Sequence, residues 1–145
     1  MVGFIRMYRD TITLYNRVGG TWKGVVLSGV DLNADRGAII QKYGANSTEN
    51  AKLHIKYTDN GGGYYVGSYE CVAPSAYTGA SGTITLRAGN DFSFFVEGDT
   101  GLYSAADANY TDGFYDYMNA NHDYCYAVTS VARYSVIPHY EVLAK

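Results

Sequence analysis

Apolar and polar residues alternate through much of the chain. Over 10–18 (DTITLYNRV), Ile12, Leu14 and Asn16 fall on one face and Thr11, Thr13 and Tyr15 on the other, the period-2 signature of a strand. Gly19-Gly20 marks a turn, and 22–30 (WKGVVLSGV) reads as the returning strand of a hairpin. A short third strand is predicted at 37–42, followed by a polar loop at 46–50. Residues 51–57 (AKLHIKY) alternate cleanly, which puts Leu53, Ile55 and Tyr57 inward and Lys52, His54 and Lys56 toward solvent or a partner. Further strands are predicted at 83–86, 92–97, 124–134 and 138–143, with a turn at 88–91. In the last of these, His139, Glu141 and Leu143 share one face, while Tyr140 and Val142 share the other.

Two stretches break this rhythm. Residues 112–119 (DGFYDYMN) predict a single short helix, with Phe114, Tyr117 and Met118 at helical spacing, Thr111 or Asp112 as its cap and Asn121 as its stop. Residues 58–82 are rich in Gly and carry Tyr64, Tyr65, Tyr69 and Tyr77. They read either as a long contact loop presenting its tyrosines to a partner or channel, or as a hairpin, 64–72, packed on the core. The expected fold is therefore mainly β, a small barrel or sandwich with long loops and one short helix near 112–119. The expected core comprises Ile12, Leu14, Trp22, Val26, Leu53, Ile55, Phe95, Phe114, Val128, Val131 and Val142.

Composition narrows the class. The 145 residues suit one domain, 1–145, with the 58–82 segment as an insertion. A hydrophobic share of 47% against 17% charged residues excludes a disordered chain. A net charge of -3 argues against a dedicated nucleic-acid binder. No apolar run is long enough for a membrane helix, and the opening residues predict no secretion signal. Charge is uneven: residues 1–56 carry eight Lys/Arg against four acids, a balance of +4, and 57–145 carry three against ten, a balance of -7. Such asymmetry suits complementary docking where the two halves form different faces. Cys71 and Cys125 form no metal or redox motif, and reduced thiols are expected, with Cys125 buried and Cys71 near a loop and open to solvent.

The search for chemistry returns little. His54 and His139 lie in predicted strands, and His122 borders the helix, without any catalytic or phosphate-binding motif. Asp99, Asp107, Asp112 and Asp116 cluster in sequence but lack the spacing of a calcium loop. They read instead as turn, helix-cap and solvated positions. No catalytic residue, cofactor or metal site is expected.

Three stretches together carry a family resemblance. The first is Asp10-Thr-Ile-Thr-Leu-Tyr-Asn-Arg17 with Trp22 and Val26-Leu-Ser-Gly-Val30. The second is Ala51-Lys-Leu-His-Ile-Lys-Tyr57, joined by Phe95-Val-Glu-Gly-Asp99. The third is Tyr126-Ala-Val-Thr-Ser-Val131 with Pro138-His-Tyr-Glu-Val142. In this order they resemble the head-closure (stopper, or head-tail joining) proteins of tailed bacteriophages and prophages of Gram-positive hosts. The resemblance spans most of the chain except roughly 58–90, where the Gly-rich segment departs from the pattern.

The resemblance implies a non-enzymatic virion protein made in the host cytoplasm and located in the neck. Its copies would form a ring, commonly of twelve, with the portal and adaptor above and the tail terminator or tail below. Packaged DNA would pass through the channel without sequence-specific contacts, and no membrane is involved. Acids such as Asp99, Asp107, Asp112 and Asp116 would suit the channel lining. Other readings are a β-sandwich that binds carbohydrate or a host surface, and another neck or tail-end subunit such as a tail terminator.

Overall fold

The computed structural model describes residues 8–34 and 50–145; the strand expected at 37–42 and all but the end of the loop at 46–50 lie outside them. Strands β1 (Asp10–Val18) and β2 (Thr21–Ala34) form the expected hairpin, with β2 running on past residue 30. Next come β3 (Ala51–Lys56), β4 (Thr58–Asn60), β5 (Gly63–Val66), β6 (Tyr69–Cys71) and β7 (Thr83–Ile84). After these follow β8 (Ser93–Glu97), β9 (Ser104–Ala106), helix α1 (Phe114–Asn121), β10 (Cys125–Tyr134) and β11 (His139–Ala144).

The main sheet runs β1-β8-β10-β11-β3-β2, and the β1–β2 pairing closes it. The result is a six-stranded antiparallel β-barrel. Closure gives each of the six a hydrogen-bonded neighbour on both sides, and β9 is added beside the first residues of β2. β2 is long enough to serve two neighbours on that side: Thr21–Lys23 pair with β9 and Asp31–Ala34 with β3.

Two apolar layers follow from the alternation. Ile12, Leu14, Leu53, Ile55, Phe95, Tyr126, Val128 and Val142 fill the barrel interior. On the outer side of the β1–β8–β10 wall a second layer forms, where Tyr15, Trp22, Phe94, Val96 and Cys125 meet Phe114 and Met118 of α1. Both faces of β1 and β8 are thus buried. Rings dominate this outer layer: Tyr15 stacks on Phe94 at 4.8 Å, and Trp22 meets Phe94 edge-on at 4.9 Å. Sealing Phe114 there contributes about 1.5–3 kcal/mol from apolar burial.

Trp22 and Phe114 are core residues as expected, in the outer of the two layers. Several other expectations need correction. Val26 and Val131 are only half-buried; Leu27 takes the interior position on β2, and Val131 packs at the edge of the core. Cys71 is buried rather than open to solvent. The helix begins at Phe114, with Gly113 as its N-cap, so neither Thr111 nor Asp112 caps it. Gly113 sits at φ 92°, a conformation open to glycine and costly for other residues. Tyr117 faces out, 46% exposed, because two turns bury only the Phe114–Met118 stripe.

The 58–82 segment resolves as paired strands. β4, β5 and β6 run antiparallel, and β7 joins β6 in parallel. Val66, Cys71 and Ile84 enter the barrel core, with Tyr64 and Tyr69 packed against it.

Candidate functional site

Three features outside the barrel core gather polar or exposed groups. The first is a cleft of about 590 Å³ where α1 meets the β1–β2 hairpin, lined by Arg17, Asp107, Asp112, Tyr115 and Asp116 among others. Its floor is the Asp107 carboxylate. Oδ1 accepts the Trp22 indole N–H at 2.8 Å and the Phe114 backbone N–H at 2.9 Å, and Oδ2 accepts Arg17 Nε–H at 2.8 Å. Burial alone would raise the pKa of this carboxyl; the Phe114 and Trp22 donors and the Arg17 charge outweigh it and hold the acid below its ordinary range. One side chain therefore ties the hairpin, β9 and the helix start together. Nearby, Tyr15 Oη donates to the Leu102 carbonyl at 2.7 Å, and burial pushes its pKa up to about 12.

The second feature lies on the outer wall of β2, β3 and β11. Strand register places His54 opposite Asp31 on one side and opposite Glu141 on the other. His54 Nε2 is 3.3 Å from Glu141 Oε2, and His54 Nδ1 is 3.7 Å from Asp31 Oδ2. His139, two residues before Glu141 on the same face, completes a group of His54, His139 and Glu141 with ligand atoms all within 4.8 Å of one another. His139 Nδ1 donates to the Ile137 carbonyl at 2.7 Å.

The third feature is the β10–β11 hairpin. Its turn exposes Val136 by 95% and Ile137 by 73%. Its base is held firmly. Tyr134 stacks on His139 at 5.0 Å, and Tyr57 Oη donates to the Tyr134 carbonyl at 3.0 Å. The Arg133 guanidinium lies 4.3 Å from the centre of the Tyr64 ring.

The residues singled out from the sequence land as follows. Tyr64 belongs to this hairpin base, Tyr69 packs on the core, and Tyr65 and Tyr77 are half-buried. The four acids do not converge as a set: Asp107 is spent on internal bonds, and Asp99 closes its own turn through Gly101 N–H and Tyr103 Oη–H. Asp112 and Asp116 are exposed at the cleft. Sequence reasoning missed the role of Asp107 and the meeting of His54 with His139. The facing alternation of 52–56 and 139–143 held the signal for the second, but only once those strands were known to pair.

Residues 7–145 match DUF6751, a family of unknown function. The chain belongs to that family. No curated protein and no solved structure matches it.

Proposed function

We propose that the protein is a structural subunit of the tailed-phage neck, a head-closure protein whose copies form a ring between the portal–adaptor side and the tail. The observation that carries this reading is the exposed Val136–Ile137 pair at the end of a braced hairpin. Keeping such a pair in water is unfavourable, and covering it returns roughly 25 cal/mol per Å² of apolar surface. A closed ring supplies the cover, because each subunit meets its neighbour through two different patches. A small β-barrel core is also the architecture that the sequence resemblance implies. Asp112 and Asp116 remain exposed for a channel that DNA must cross without sticking, whereas Asp107 is committed inside the fold. Trp22, buried to 2% exposure, offers no stacking platform to a sugar, which disfavours the carbohydrate-binding reading.

Cryo-electron microscopy of the intact particle tests the proposal. The expected result is a ring of this chain, commonly twelve-fold, between adaptor and tail. Its absence from the neck, or a position at the tail tip or on the capsid surface, would overturn head closure in favour of a host-surface binding module.

A further inference from the structure

We infer that the outer wall of β2, β3 and β11 binds one divalent transition-metal ion of the zinc type through His54, His139 and Glu141. The inference is independent of the neck reading and rests on side-chain geometry. The 3.3 Å between His54 Nε2 and Glu141 Oε2 is close to the ligand–ligand separation around a tetrahedral ion with bonds of about 2.1 Å. The tautomer of His139 is fixed from outside: a carbonyl only accepts, so Nδ1 carries the proton and Nε2 keeps its lone pair for a metal. His54 is arranged in the complementary way. Its Nδ1 is shut from solvent and has no hydrogen-bond partner among the described residues, with the Asp31 carboxylate waiting at 3.7 Å. A carboxylate behind the far nitrogen of a metal-bound imidazole orients the ring and raises its basicity.

Chemistry and rigidity select the ion. Two imidazoles with a carboxylate suit zinc, cobalt, nickel or copper, whereas calcium and magnesium prefer all-oxygen sites. All three ligands stand on two hydrogen-bonded neighbouring strands, so little chain entropy opposes binding. The ligand side chains are partly exposed, which leaves a coordination position for water or a partner's side chain. A protonated His54 bridging Asp31 and Glu141 would be a simpler arrangement, but it gives no role to the preset lone pair of His139. Lys56, which pairs with His139 across the strands, holds its ammonium over the Tyr8 ring at 4.4 Å. An ion here would cross-link β3 to the base of the hairpin that carries Val136 and Ile137.

The test uses tag-free, metal-stripped full chain, titrated with zinc by calorimetry and with cobalt(II) by visible absorption. One equivalent should bind, raise the melting temperature and give the intense d–d bands of a four-coordinate cobalt site. His139→Gln and Glu141→Gln, both at partly exposed positions, should stay folded without metal, each with its own metal-free melting temperature as the baseline, and lose the metal-induced shift. Asp31→Asn should weaken affinity by about 10–100-fold while keeping one-to-one stoichiometry. The inference is overturned if equimolar zinc leaves the melting temperature unchanged, if His139→Gln binds as well as the parent, or if magnesium substitutes equally. A melting temperature that responds to protonation of the histidines but not to metal would likewise overturn it and assign the cluster to the His54 ion pairs alone.

Discussion

Asp107 accepts the first backbone N–H of α1 from seven residues upstream of Phe114, while also accepting from Arg17 and Trp22. Replacing it with alanine leaves the Phe114 and Trp22 N–H groups without their acceptor and the Arg17 guanidinium without its counter-charge. We expect Asp107→Ala to lower stability by about 2–4 kcal/mol in urea unfolding. The parent should also weaken in acid. Because the folded-state pKa is depressed, the contribution is fully present above the unfolded value near 3.8 and disappears as pH falls through the folded one. A melt series from pH 6 downward should show this acid limb, and Asp107→Asn should flatten it. None of this was legible locally. The Thr111-Asp112 pair has the right residue types one or two residues too early, and only the fold brings residues 17, 22 and 107 to the start of α1. The His54–His139–Glu141 group was hidden in the same way: two strands separated by more than half the chain supply it, and no spacing rule spans that gap.

Strands were legible wherever one face stays wet. β3 alternates buried residues with exposed or half-buried ones along its whole length, and its sequence shows it. β1 and β8 are buried on both faces because α1 roofs the outer wall, yet their β-branched and aromatic residues still marked them. The strands of the 58–84 region are two to four residues long, too short to express a period, so loop and hairpin were indistinguishable there. Element packing also explains a glycine. A Cβ on Gly24 would stand 2.7 Å from Tyr15 Cε1, 3.0 Å from the Leu102 carbonyl and 3.1 Å from Tyr103 Cα. Two of those three are backbone and cannot swing away. Gly24→Ala should therefore cost about 1–3 kcal/mol and loosen β9, seen as faster amide exchange at Gly24, which donates to the Tyr103 carbonyl at 2.8 Å. Gly20→Ala, in open space, is the control expected to change little.

For the whole molecule the mainly β class follows from the number and order of the strands, with barrel and sandwich both open. Closure of the barrel does not, since it depends on β1 meeting β8 and β3 meeting β11 across long sequence separations. The docking role proposed for the hairpin tip belongs to this scale too. Val136→Lys with Ile137→Lys should leave the unfolding free energy of the isolated chain unchanged within about 0.5 kcal/mol, because both side chains are already in solvent. The same pair should sharply lower the yield of DNA-filled heads joined to tails. Normal particle yields from the double variant would remove the tip from the contact surface.

β11 occupies the slot between β10 and β3, and Ala127 of β10 exchanges two backbone hydrogen bonds with Lys145 just beyond it. During translation that slot stays empty until residues 139–144 leave the ribosome, so the barrel is assembled only after nearly all the described residues have been made. Until then β3 and β10 both present raw edges, each matched to the same late strand. On a polysome, where copies emerge side by side, a neighbour's β11 fits that gap as well as the chain's own. The time between the making of β10 and the making of β11 then sets how long strand exchange between neighbouring chains can compete with closure of each barrel on itself.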